Sequence, residues 1–496
     1  MKLRTIITQD AEVDDQNSLR HFLFYANEVE LQGIVQTSSK FHWIGIKGAV
    51  KPLKKQSEFE FEGEMENGEY DKPYRWPGTD WMSRVIDDYE KDYHNLTKHA
   101  DGYPDPDYLR SITKIGNIGY EGEMETSTEG SELIKKHILD DDERPLYLQV
   151  WGGTNTISRA LKDIQNEHES DPGWTELHNK ITKKIIITAC GEQDPTYRDY
   201  IAEEWPGIQF VKTLQMQSYA YPWFAMPEGE SKDTLSADFM KTEILNGKSE
   251  LAKGYCTWLD GHRYEGEDDN SQFGANQNIV NTWFGARFGF PNPRKYDFLS
   301  EGDSPTFFLL LDWGFRTLED FSYGGMAGRY HKVMEQRNSK GEPLNVWDVS
   351  KDLYTDRNGN VTAQESMWPY VADIQRDFAA RIDWVFADSD EMVEHAPELV
   401  IKEGTDLTAV PGAKLELHAD ASGKDSTNIK ISYRIYEEAS SECARNVVLQ
   451  VHSETAVITI PETARKGDHI HIIVKAQAGG HHRLVHYQQV IITVVR

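Results

Sequence analysis

Two stretches of the sequence repeat one pattern, in which an apolar run, a polar loop, an amphipathic segment and a second apolar run follow one another. The first runs from LRTIIT at residues 3–8 to LQGIVQT at residues 31–37, and the second from PLYLQVW at residues 145–151 to KKIIITACG at residues 183–191. This order is typical of a strand, a helix and a second, parallel strand. In the second stretch the apolar residues are continuous, as expected for strands covered on both faces. The pattern predicts an α/β fold with an open, mostly parallel sheet.

The pattern changes near residue 395, after a predicted amphipathic helix at residues 371–388 that closes the first domain. From there to the end, short runs of alternating apolar residues are separated by turns rich in Gly, Asn, Asp and Ser. Such runs predict an antiparallel β-sandwich of about seven strands. We therefore expect two domains, at residues 1–392 and 393–496, with HAPELV at residues 395–400 as the linker.

The charge of the chain restricts its partners. There are 82 acidic and 53 basic side chains, which give a formal net charge of −29 at pH 7. A chain of this sign repels phosphate backbones, so we expect no nucleic-acid partner and favour neutral sugars or cations. No apolar run reaches the ~18 residues needed to span a bilayer, so no membrane partner is expected. Because an apparent strand follows almost directly on Met1, we expect a cytoplasmic protein or one whose leader was removed.

The cysteines and the C-terminal histidines give no metal motif by spacing. Cys190, Cys256 and Cys443 lie far apart and are not paired in sequence, so neither a zinc site nor a disulfide framework is indicated. Three separate buried thiols are the simplest interpretation. The Gly-His-His run at residues 480–482 is better explained as a turn between the last two strands.

An acidic cluster follows the first apolar run. The segment TQDAEVDDQNS carries Asp10, Glu12, Asp14 and Asp15 at the carboxyl end of the first predicted strand, where open parallel sheets bind their ligands. Asp10 and Asp15 could both turn toward one hard cation, and ligation by oxygen alone favours calcium or magnesium. The alternative is a helix amino-terminus, at which Asp14 and Asp15 complement the helix dipole and Asp10 is the cap.

The stretch from Thr5 to Leu19 resembles the opening motif of the nucleoside hydrolases, a strand followed by Asp-Thr-Asp-Pro-Gly-x-Asp-Asp. The resemblance implies that Asp10 and Asp15 bind calcium and that Asp14 contacts a sugar hydroxyl. It also implies that Asp10 is the base for a water molecule that attacks the anomeric carbon. The departures from the motif are Thr8 in place of the first aspartate and Ala11-Glu12 in place of Pro-Gly.

A second segment, VWGGTNTISRALKDI at residues 150–164, resembles the same family's strand end and helix start. Thr154 and Asn155 match the family's Thr and Asn. In that family a backbone carbonyl just before the glycine is a calcium ligand, which implies Val150 or Trp151 in this chain.

A third segment, SEGDSPTFF at residues 300–308, matches the place where the family supplies its last calcium ligand. The resemblance implies Asp303 as that ligand, whereas Gly302 replaces the family's histidine and cannot protonate a leaving group. Other acids would have to do so, and the candidates in order of preference are Glu301, Asp194 and His42. Each has a structural alternative: Glu301 could orient its loop, Asp194 could cap the following helix, and His42 could be structural.

The closer resemblance is to nucleoside hydrolase-like proteins of the Sde182 type, which are described as cellulose-binding. It rests on Trp-Gly-Gly at 151–153, the stretch at 127–131, Glu-Gly-Asp-Ser-Pro at 301–305, and YGGMAGRY and DFAARIDW further on. It covers nearly the whole chain. It implies a nucleoside-hydrolase type of open sheet, a carboxy-terminal immunoglobulin-like β-sandwich, a carbohydrate ligand and, as in nucleoside hydrolases, a homo-oligomer.

These observations leave more than one function open. The first hypothesis is a calcium-dependent glycoside hydrolase that cleaves an N- or O-glycosidic bond, with a furanoside as the expected substrate. The second is a carbohydrate-binding protein that keeps the scaffold without catalysis, and a third makes the cation structural. The residues that we expect at the sugar are Asp14, Ser39, Trp151, Asn155 and Gln193. Other aromatic residues that could stack on a sugar are Trp43, Tyr221, Trp223, Trp258 and Trp313.

Overall fold

The computed structural model describes most of the chain and divides it into two compact units. The described residues are 2–50, 70–269, 271–278, 285, 289, 292–387, 389, 392–424 and 428–496. The first unit consists of Met1–Pro227, Leu235–Leu311 and His331–Val349. The second consists of Glu228–Thr234, Asp312–Tyr330 and Ser350–Arg496. None of the described helices is long and apolar enough to cross a bilayer.

An eight-stranded sheet organises the first unit, in the order β3-β2-β1-β4-β5-β6-β8-β7. The six pairings from β3 to β8 are all parallel, which confirms the predicted open, mostly parallel sheet. The strands are β1 Arg4–Gln9, β2 Glu30–Gln36, β3 Thr113–Ile115, β4 Leu146–Val150, β5 Ile185–Ala189, β6 Gln209–Lys212, β7 Tyr330–Lys332 and β8 Val346–Val349.

Helices cover the central strands of this sheet. The longer ones are α1 Val13–Leu23, α2 Trp81–His99, α3 Pro106–Ile112, α4 Glu129–Leu139, α5 Asn155–His168 and α6 Trp174–Lys184. All residues of β1 and β4 are buried, because these strands lie in the middle of the sheet. Their apolar side chains, such as Ile6 and Leu148, share one core with Ile134 of α4 and Ile157 of α5. Because both faces of the sheet are covered, polar residues of these strands such as Thr8 and Gln149 are buried as well.

Short helical turns replace long helices in the second half of the first unit. They are Tyr197–Ile201, Ala202–Glu204, Met216–Tyr219, Trp223–Ala225, Ala237–Phe239, Met240–Ile244, Glu250–Lys253 and Pro305–Phe308. The loops between these turns bring Cys256, Ser300 and Gly302 next to the start of α1, at the carboxyl ends of the strands. The site described below therefore depends on irregular segments as well as on the sheet.

The second unit contains two four-stranded sheets with a common core. Their orders are β11-β13-β16-β15 and β12-β18-β17-β14, and only the β12–β18 pair is parallel. Leu417, Ile458, Ile472 and Val490, from both sheets, lie in one buried cluster. The predicted β-sandwich is thus confirmed. Its strands are β11 Glu398–Ile401, β12 Asp406–Ala409, β13 Lys414–Ser422, β14 Lys430–Ile435, β15 Val448–His452, β16 Thr455–Thr459, β17 His469–Gln477 and β18 Val485–Val494.

The second unit also includes segments that precede the sandwich in sequence. They are the hairpin of β9 Lys351–Thr355 and β10 Val361–Glu365, the turns Glu230–Asp233, Phe321–Tyr323 and Trp368–Tyr370, and helix α7 Val371–Trp384. Helix α7 packs on the sandwich, where Asp373 accepts hydrogen bonds from Lys475 and Tyr487. Residues 398–400 of the expected linker form part of β11. The boundary at residue 392 stays a prediction drawn from the sequence pattern.

Candidate functional site

Three aspartates from distant parts of the chain meet at the carboxyl end of β1. Asp14 and Asp15 lie in the first turn of α1, and Asp303 precedes the short helix Pro305–Phe308. Carboxylate oxygens of these three residues lie within 4.8 Å of one another. All three side chains are buried. The chain therefore holds several carboxylates together away from water, which is unfavourable unless protons or a cation compensate.

Asp303 is the least satisfied member of this group. Both of its carboxylate oxygens are buried and have no hydrogen bond of good geometry within the described part of the chain, and the Cys190 thiol is the donor that lies beside them. Burial and the negative charge of Asp14 raise the pKa of Asp303 well above its usual range. Burial and neighbouring carboxylates likewise raise the pKa values of Asp14 and Asp15. Free oxygens among mutually repelling carboxylates fit a hard divalent cation, which prefers oxygen ligands.

Asp10 adjoins the three aspartates and is connected to them through the backbone. Its amide nitrogen donates a 2.9 Å hydrogen bond to Asp15 Oδ1, and its own Oδ1 accepts a 3.3 Å hydrogen bond from the Glu12 amide. Its Oδ2 faces Nδ1 of His42 at 3.5 Å. Burial by itself would raise the pKa of Asp10, but the nearby charge of His42 and the Ser39 hydroxyl group outweigh it and lower that pKa. Asp10 is thus the carboxylate of this group that stays ionised most easily.

The helix-terminus alternative accounts for only part of this arrangement. Asp14 and Asp15 do lie where they complement the dipole of α1. The residue at the cap position is Glu12, however, and it makes no side-chain capping hydrogen bond. A helix end also gives no reason for Asp303 to approach from another segment. The dipole therefore helps to hold the carboxylates without explaining their convergence.

A buried chain of charges leads from Asp10 to Arg75. His42 Nε2 lies 2.7 Å from Glu267 Oε1, and Arg75 Nε donates a 2.7 Å hydrogen bond to Glu267 Oε2. Burial would lower the pKa of His42, but the carboxylates of Glu267 and Asp10 raise it to about 9. The imidazole is therefore protonated at neutral pH and lies between two carboxylates. Sequence reasoning ranked His42 last and missed Glu267 and Arg75, because irregular loops carry both and show no periodicity.

The backbone next to Asp10 has features that require particular residues. Ala11 has a φ of 72°, in the left-handed region that L side chains rarely adopt. A Cβ atom on Gly152 would lie 2.7 Å from Cβ of Asp10, so only glycine lets this segment pass so close. A Cβ atom on Gly302 would lie 3.3 Å from Asp14 Oδ2. The glycines of the Trp-Gly-Gly and Glu-Gly-Asp motifs thus keep the backbone close to the acidic group.

The two preferred candidates for a leaving-group acid are engaged in other contacts. Glu301 is buried and accepts hydrogen bonds from Tyr255, Ser304 and, over 2.7 Å, from Nδ1 of His21. Both oxygens of Asp194 are likewise occupied: they accept from the hydroxyl groups of Thr154 and Thr196 and from the amides of Thr196 and Asn155, the first residue of α5. The contacts of Glu301 fit the structural alternative of a side chain that orients its loop. Asp194 differs from its alternative: it binds the first amide of α5, which precedes it in sequence, whereas the helix that follows it has Thr196 at the cap position and no side-chain capping hydrogen bond.

The residues expected at the sugar have mixed surroundings. Asn155 is buried and donates to Ser38, Asn117 and Glu123. Trp151 is also buried, and its indole donates to Thr306 over 2.7 Å. Both side chains brace the loops through these contacts, and their role at a sugar stays a prediction. All five of the other aromatic candidates are buried, with less than a tenth of each residue exposed. They are Trp43, Tyr221, Trp223, Trp258 and Trp313.

Three of the predicted residues either contact Asp10 or keep an oxygen that can accept a further hydrogen bond or bind an ion. Ser39 contacts Asp10 through its hydroxyl group. Gln193 has a buried Oε1 without a hydrogen-bond partner among the described residues, while its amide nitrogen donates to the Trp151 carbonyl. The Val150 carbonyl accepts a 2.8 Å hydrogen bond from the Cys190 amide, which leaves one lone pair for a further contact.

Family models match both parts of the chain. Residues 4–330 match the model described as "Cellulose-binding Sde182, nucleoside hydrolase-like domain", and residues 414–494 match "Cellulose-binding protein Sde0182, C-terminal domain". The comparison with curated protein sequences gave no match.

Solved structures agree with this result at the level of the fold. A nucleoside hydrolase-related hypothetical protein from Saccharophagus degradans, described as associated with carbohydrate metabolism, is 24% identical, and the match covers 100% of both chains with a TM-score of 0.68. A plant nucleoside hydrolase is 10% identical over 78% of this chain and 100% of its own, with a TM-score of 0.33, which is too distant to support an inference. Because the first family model alone covers more than half of the chain, the protein belongs to the Sde182 family, in which a nucleoside hydrolase-like domain is followed by the family's C-terminal domain.

Proposed function

We propose that this protein is a calcium-dependent glycoside hydrolase that cleaves an N- or O-glycosidic bond of a furanoside with water as the nucleophile. The observation that carries the proposal is the pair of unpartnered, buried oxygens of Asp303 beside Asp14 and Asp15. Burying an ionised carboxylate without a partner costs several kcal/mol even after the surroundings relax, so the group takes up a proton or binds a cation instead. A bound cation would offset this cost, and a scaffold without a ligand would have no reason to keep it.

Asp10, Asp15 and Asp303 would hold the cation, with a backbone carbonyl of Val150 or Trp151 as a further ligand. Their oxygen donors favour calcium over softer metals. Calcium bound there would lower the pKa of a water molecule and so ease its deprotonation. Asp14, whose Oδ2 accepts a 3.2 Å hydrogen bond from Ser300, is left to bind a sugar hydroxyl group.

Asp10 would take the proton from the attacking water. A base must be ionised before the reaction, and the protonated His42 keeps Asp10 in that state. Glu267 in turn holds the imidazole ring by its Nε2, so that Nδ1 stays directed at Asp10. The three side chains form a base with a fixed orientation.

The site favours substrates whose leaving group can depart without being protonated by a general acid. Glu301 and Asp194 have no oxygen to spare, and both ring nitrogens of His42 face carboxylates. We therefore expect aryl glycosides such as p-nitrophenyl furanosides to be cleaved in preference to alkyl glycosides, because p-nitrophenolate needs no protonation to leave.

Calcium binding tests the proposal directly. The full chain is stripped with a chelator and titrated with calcium in a calorimeter, in parallel with Asp303→Asn and with Asp171→Asn, which removes an exposed carboxylate of another loop. We expect one ion per chain, at least about tenfold weaker binding for Asp303→Asn, a change of about 1.4 kcal/mol, and no change for Asp171→Asn. Equal affinities in all three proteins would refute the site.

Turnover tests the chemical part. On a panel of p-nitrophenyl furanosides and nucleosides, we expect calcium-dependent release of the leaving group by the wild type. Replacement of the base in Asp10→Asn should reduce kcat by ~100-fold or more, in line with the loss of a general base. Calcium binding without turnover of any member of the panel would contradict the hydrolase proposal and leave the cation site standing.

A second candidate is a non-catalytic carbohydrate-binding protein. Gly302, which stands where nucleoside hydrolases have a histidine, favours it, as does the cellulose-binding description of the matching family models. It predicts that the protein sediments with insoluble cellulose and releases no soluble sugar from it. Binding that survives chelation would show that the sugar contacts do not need the cation.

A further inference from the structure

We propose that Cys256, Asp260 and His262 form a second metal site, which takes Zn²⁺ or a similar transition-metal ion. The site is independent of the proposed hydrolase function. Its three ligand atoms, the Cys256 thiol, an Asp260 carboxylate oxygen and a ring nitrogen of His262, lie within 4.8 Å of one another. In a tetrahedral zinc site with bonds of roughly 2.0–2.3 Å, ligand atoms are about 3.3–3.8 Å apart. Small side-chain shifts would therefore bring the three atoms around one ion.

The contact between His262 and Asp260 points to a shared ligand. His262 Nδ1 lies 3.1 Å from Asp260 Oδ2. It is nevertheless a buried atom without a hydrogen-bond partner, so the two atoms are close but not aligned for a hydrogen bond with each other. Two ligand atoms of one metal ion lie close together without a hydrogen bond between them, because the lone pairs of both point at the ion. A buried imidazole nitrogen in ordinary packing would instead donate or accept a hydrogen bond.

The surrounding residues hold the three ligands in place. The Asn17 side chain accepts a 2.8 Å hydrogen bond from the Cys256 amide and donates a 2.9 Å hydrogen bond to its carbonyl. Asp260 is oriented by the hydroxyl group of Thr257 and by the backbone amide of His262. A Cβ atom on Gly274 would lie 2.7 Å from Asp260 Oδ1 and 3.2 Å from Cys256 Sγ, so glycine is needed beside this group. Such second-layer contacts are what fix the ligands of metal sites.

The chemistry of the donors separates this site from the acidic cluster. A thiolate, an imidazole and a carboxylate suit zinc, copper or cobalt, whereas the aspartate cluster offers oxygen only. Cys256 is fully buried and 39% of the His262 side chain is exposed, so an ion can reach the group from solvent. Sequence spacing missed the site because only one of the three ligands is a cysteine.

The position of the site gives the ion a role. Residues 256–274 form a loop in which Gln272 accepts a hydrogen bond from the Tyr264 amide and donates one to the Glu267 carbonyl. Glu267 is the residue that holds His42. An ion at Cys256, Asp260 and His262 would fix the amino-terminal part of the loop that presents Glu267.

Cobalt(II) reports this site through its colour. The full chain, stripped of metal and then saturated with calcium, is titrated with Co²⁺, and thiolate-to-cobalt charge-transfer absorption is followed in the near ultraviolet. We expect one equivalent of cobalt to produce the band, and Cys256→Ser to abolish it. The band should persist in Cys190→Ser, which removes the buried thiol near the acidic cluster, and in Asp303→Asn, so the result does not depend on the calcium site.

His262→Ala serves if Cys256→Ser does not fold, since His262 is partly exposed. It should weaken cobalt binding at least about tenfold while leaving the melting temperature of the metal-free chain unchanged. The proposal is overturned if the wild type shows no charge-transfer band, if Cys190→Ser removes the band, or if His262→Ala binds cobalt as tightly as the wild type.

Discussion

At the scale of single residues, His42 depends on the carboxylates on either side of it. Burial alone would favour the neutral imidazole, and the charges of Glu267 and Asp10 reverse that preference. A histidine in this position acts as a fixed positive charge that keeps Asp10 ionised. Its protonation is therefore the property to measure.

Glu267→Gln should lower the pKa of His42 by about one unit or more, because Glu267 is the strongest of the charges that raise it. The measurement is an NMR titration of the imidazole signals in metal-free protein. Glu265→Gln, an exposed neighbour on the same loop, is the matched control and should leave the pKa near 9. A His42 titration that is the same in both variants would rule out the charge chain.

Ala11→Gly should stabilise the protein by about 1 kcal/mol, because glycine adopts a φ of 72° without the cost that alanine bears. Thermal unfolding of the metal-free chain measures the effect. Ala100→Gly is the control, since Ala100 has a φ of −152° and glycine there should destabilise by up to about 1 kcal/mol. If Ala11→Gly also destabilised, the turn would not be strained.

At the scale of elements, the sequence predicted what local periodicity encodes. The continuous apolar runs of β4 and β5 and the alternating runs of β13 and β17 led to the correct sheet types. The acidic residues at the end of β1 were found for the same reason, since a strand end in a parallel sheet has a known place. The resemblance to nucleoside hydrolases was needed to connect them with Asp303.

Residues on irregular segments could not be predicted in this way. Glu267 and Arg75 reach His42 from loops whose conformations depend on tertiary contacts, such as the hydrogen bonds of Gln272 within its loop. Glu301 and Asp194 looked available because the sequence suggested a strand end before each. Asp194 does follow β5, but no described strand directly precedes Glu301, and neighbouring donors occupy both carboxylates. Knowing that a side chain is near a site does not reveal which hydrogen bonds it already makes.

The segment between β4 and α5 gives a prediction about close backbone approach. Gly152→Ala would place a methyl group 2.7 Å from Cβ of Asp10 and should displace that residue. We expect a loss of about 1–3 kcal/mol in stability and at least about tenfold weaker calcium binding. Gly173→Ala, where an added Cβ meets nothing within 4 Å, should leave calcium binding unchanged. Unaltered calcium affinity in Gly152→Ala would mean that Asp10 does not bind the ion.

At the scale of the whole molecule, the net charge of −29 and the sequence pI near 5.0 set the conditions for any acid experiment. Net charge falls toward zero as the pH approaches the pI, which promotes association. Stability is therefore best compared between pH 7.5 and about 5.5. Within that range carboxylates with ordinary pKa values stay mostly ionised, so histidines are the main titrating groups outside the buried acidic cluster.

His471, buried in β17 of the second unit, should make that unit less stable as the pH falls through this range. Burial lowers its pKa to about 4 from the ordinary value near 6.5, and Gln489 lies 3.0 Å from its Nδ1. Below pH 6.5 the imidazole is protonated in the unfolded chain but stays neutral in the folded chain. The free energy of unfolding therefore decreases as the pH is lowered from 6.5, and the loss is complete near pH 4. Between pH 7.5 and 5.5 the loss is about 1 kcal/mol.

His471→Asn keeps a hydrogen-bond acceptor for Gln489 and removes the titrating group, so the second unit should lose that share of its acid sensitivity. Chemical denaturation at several pH values, followed by a probe in the second unit, measures the difference. His452→Gln, an exposed histidine of β15, is the control and should retain the wild-type pH dependence. Parallel curves for His471→Asn and the wild type would show that His471 titrates alike in the folded and unfolded chains, which its burial among β-strands argues against.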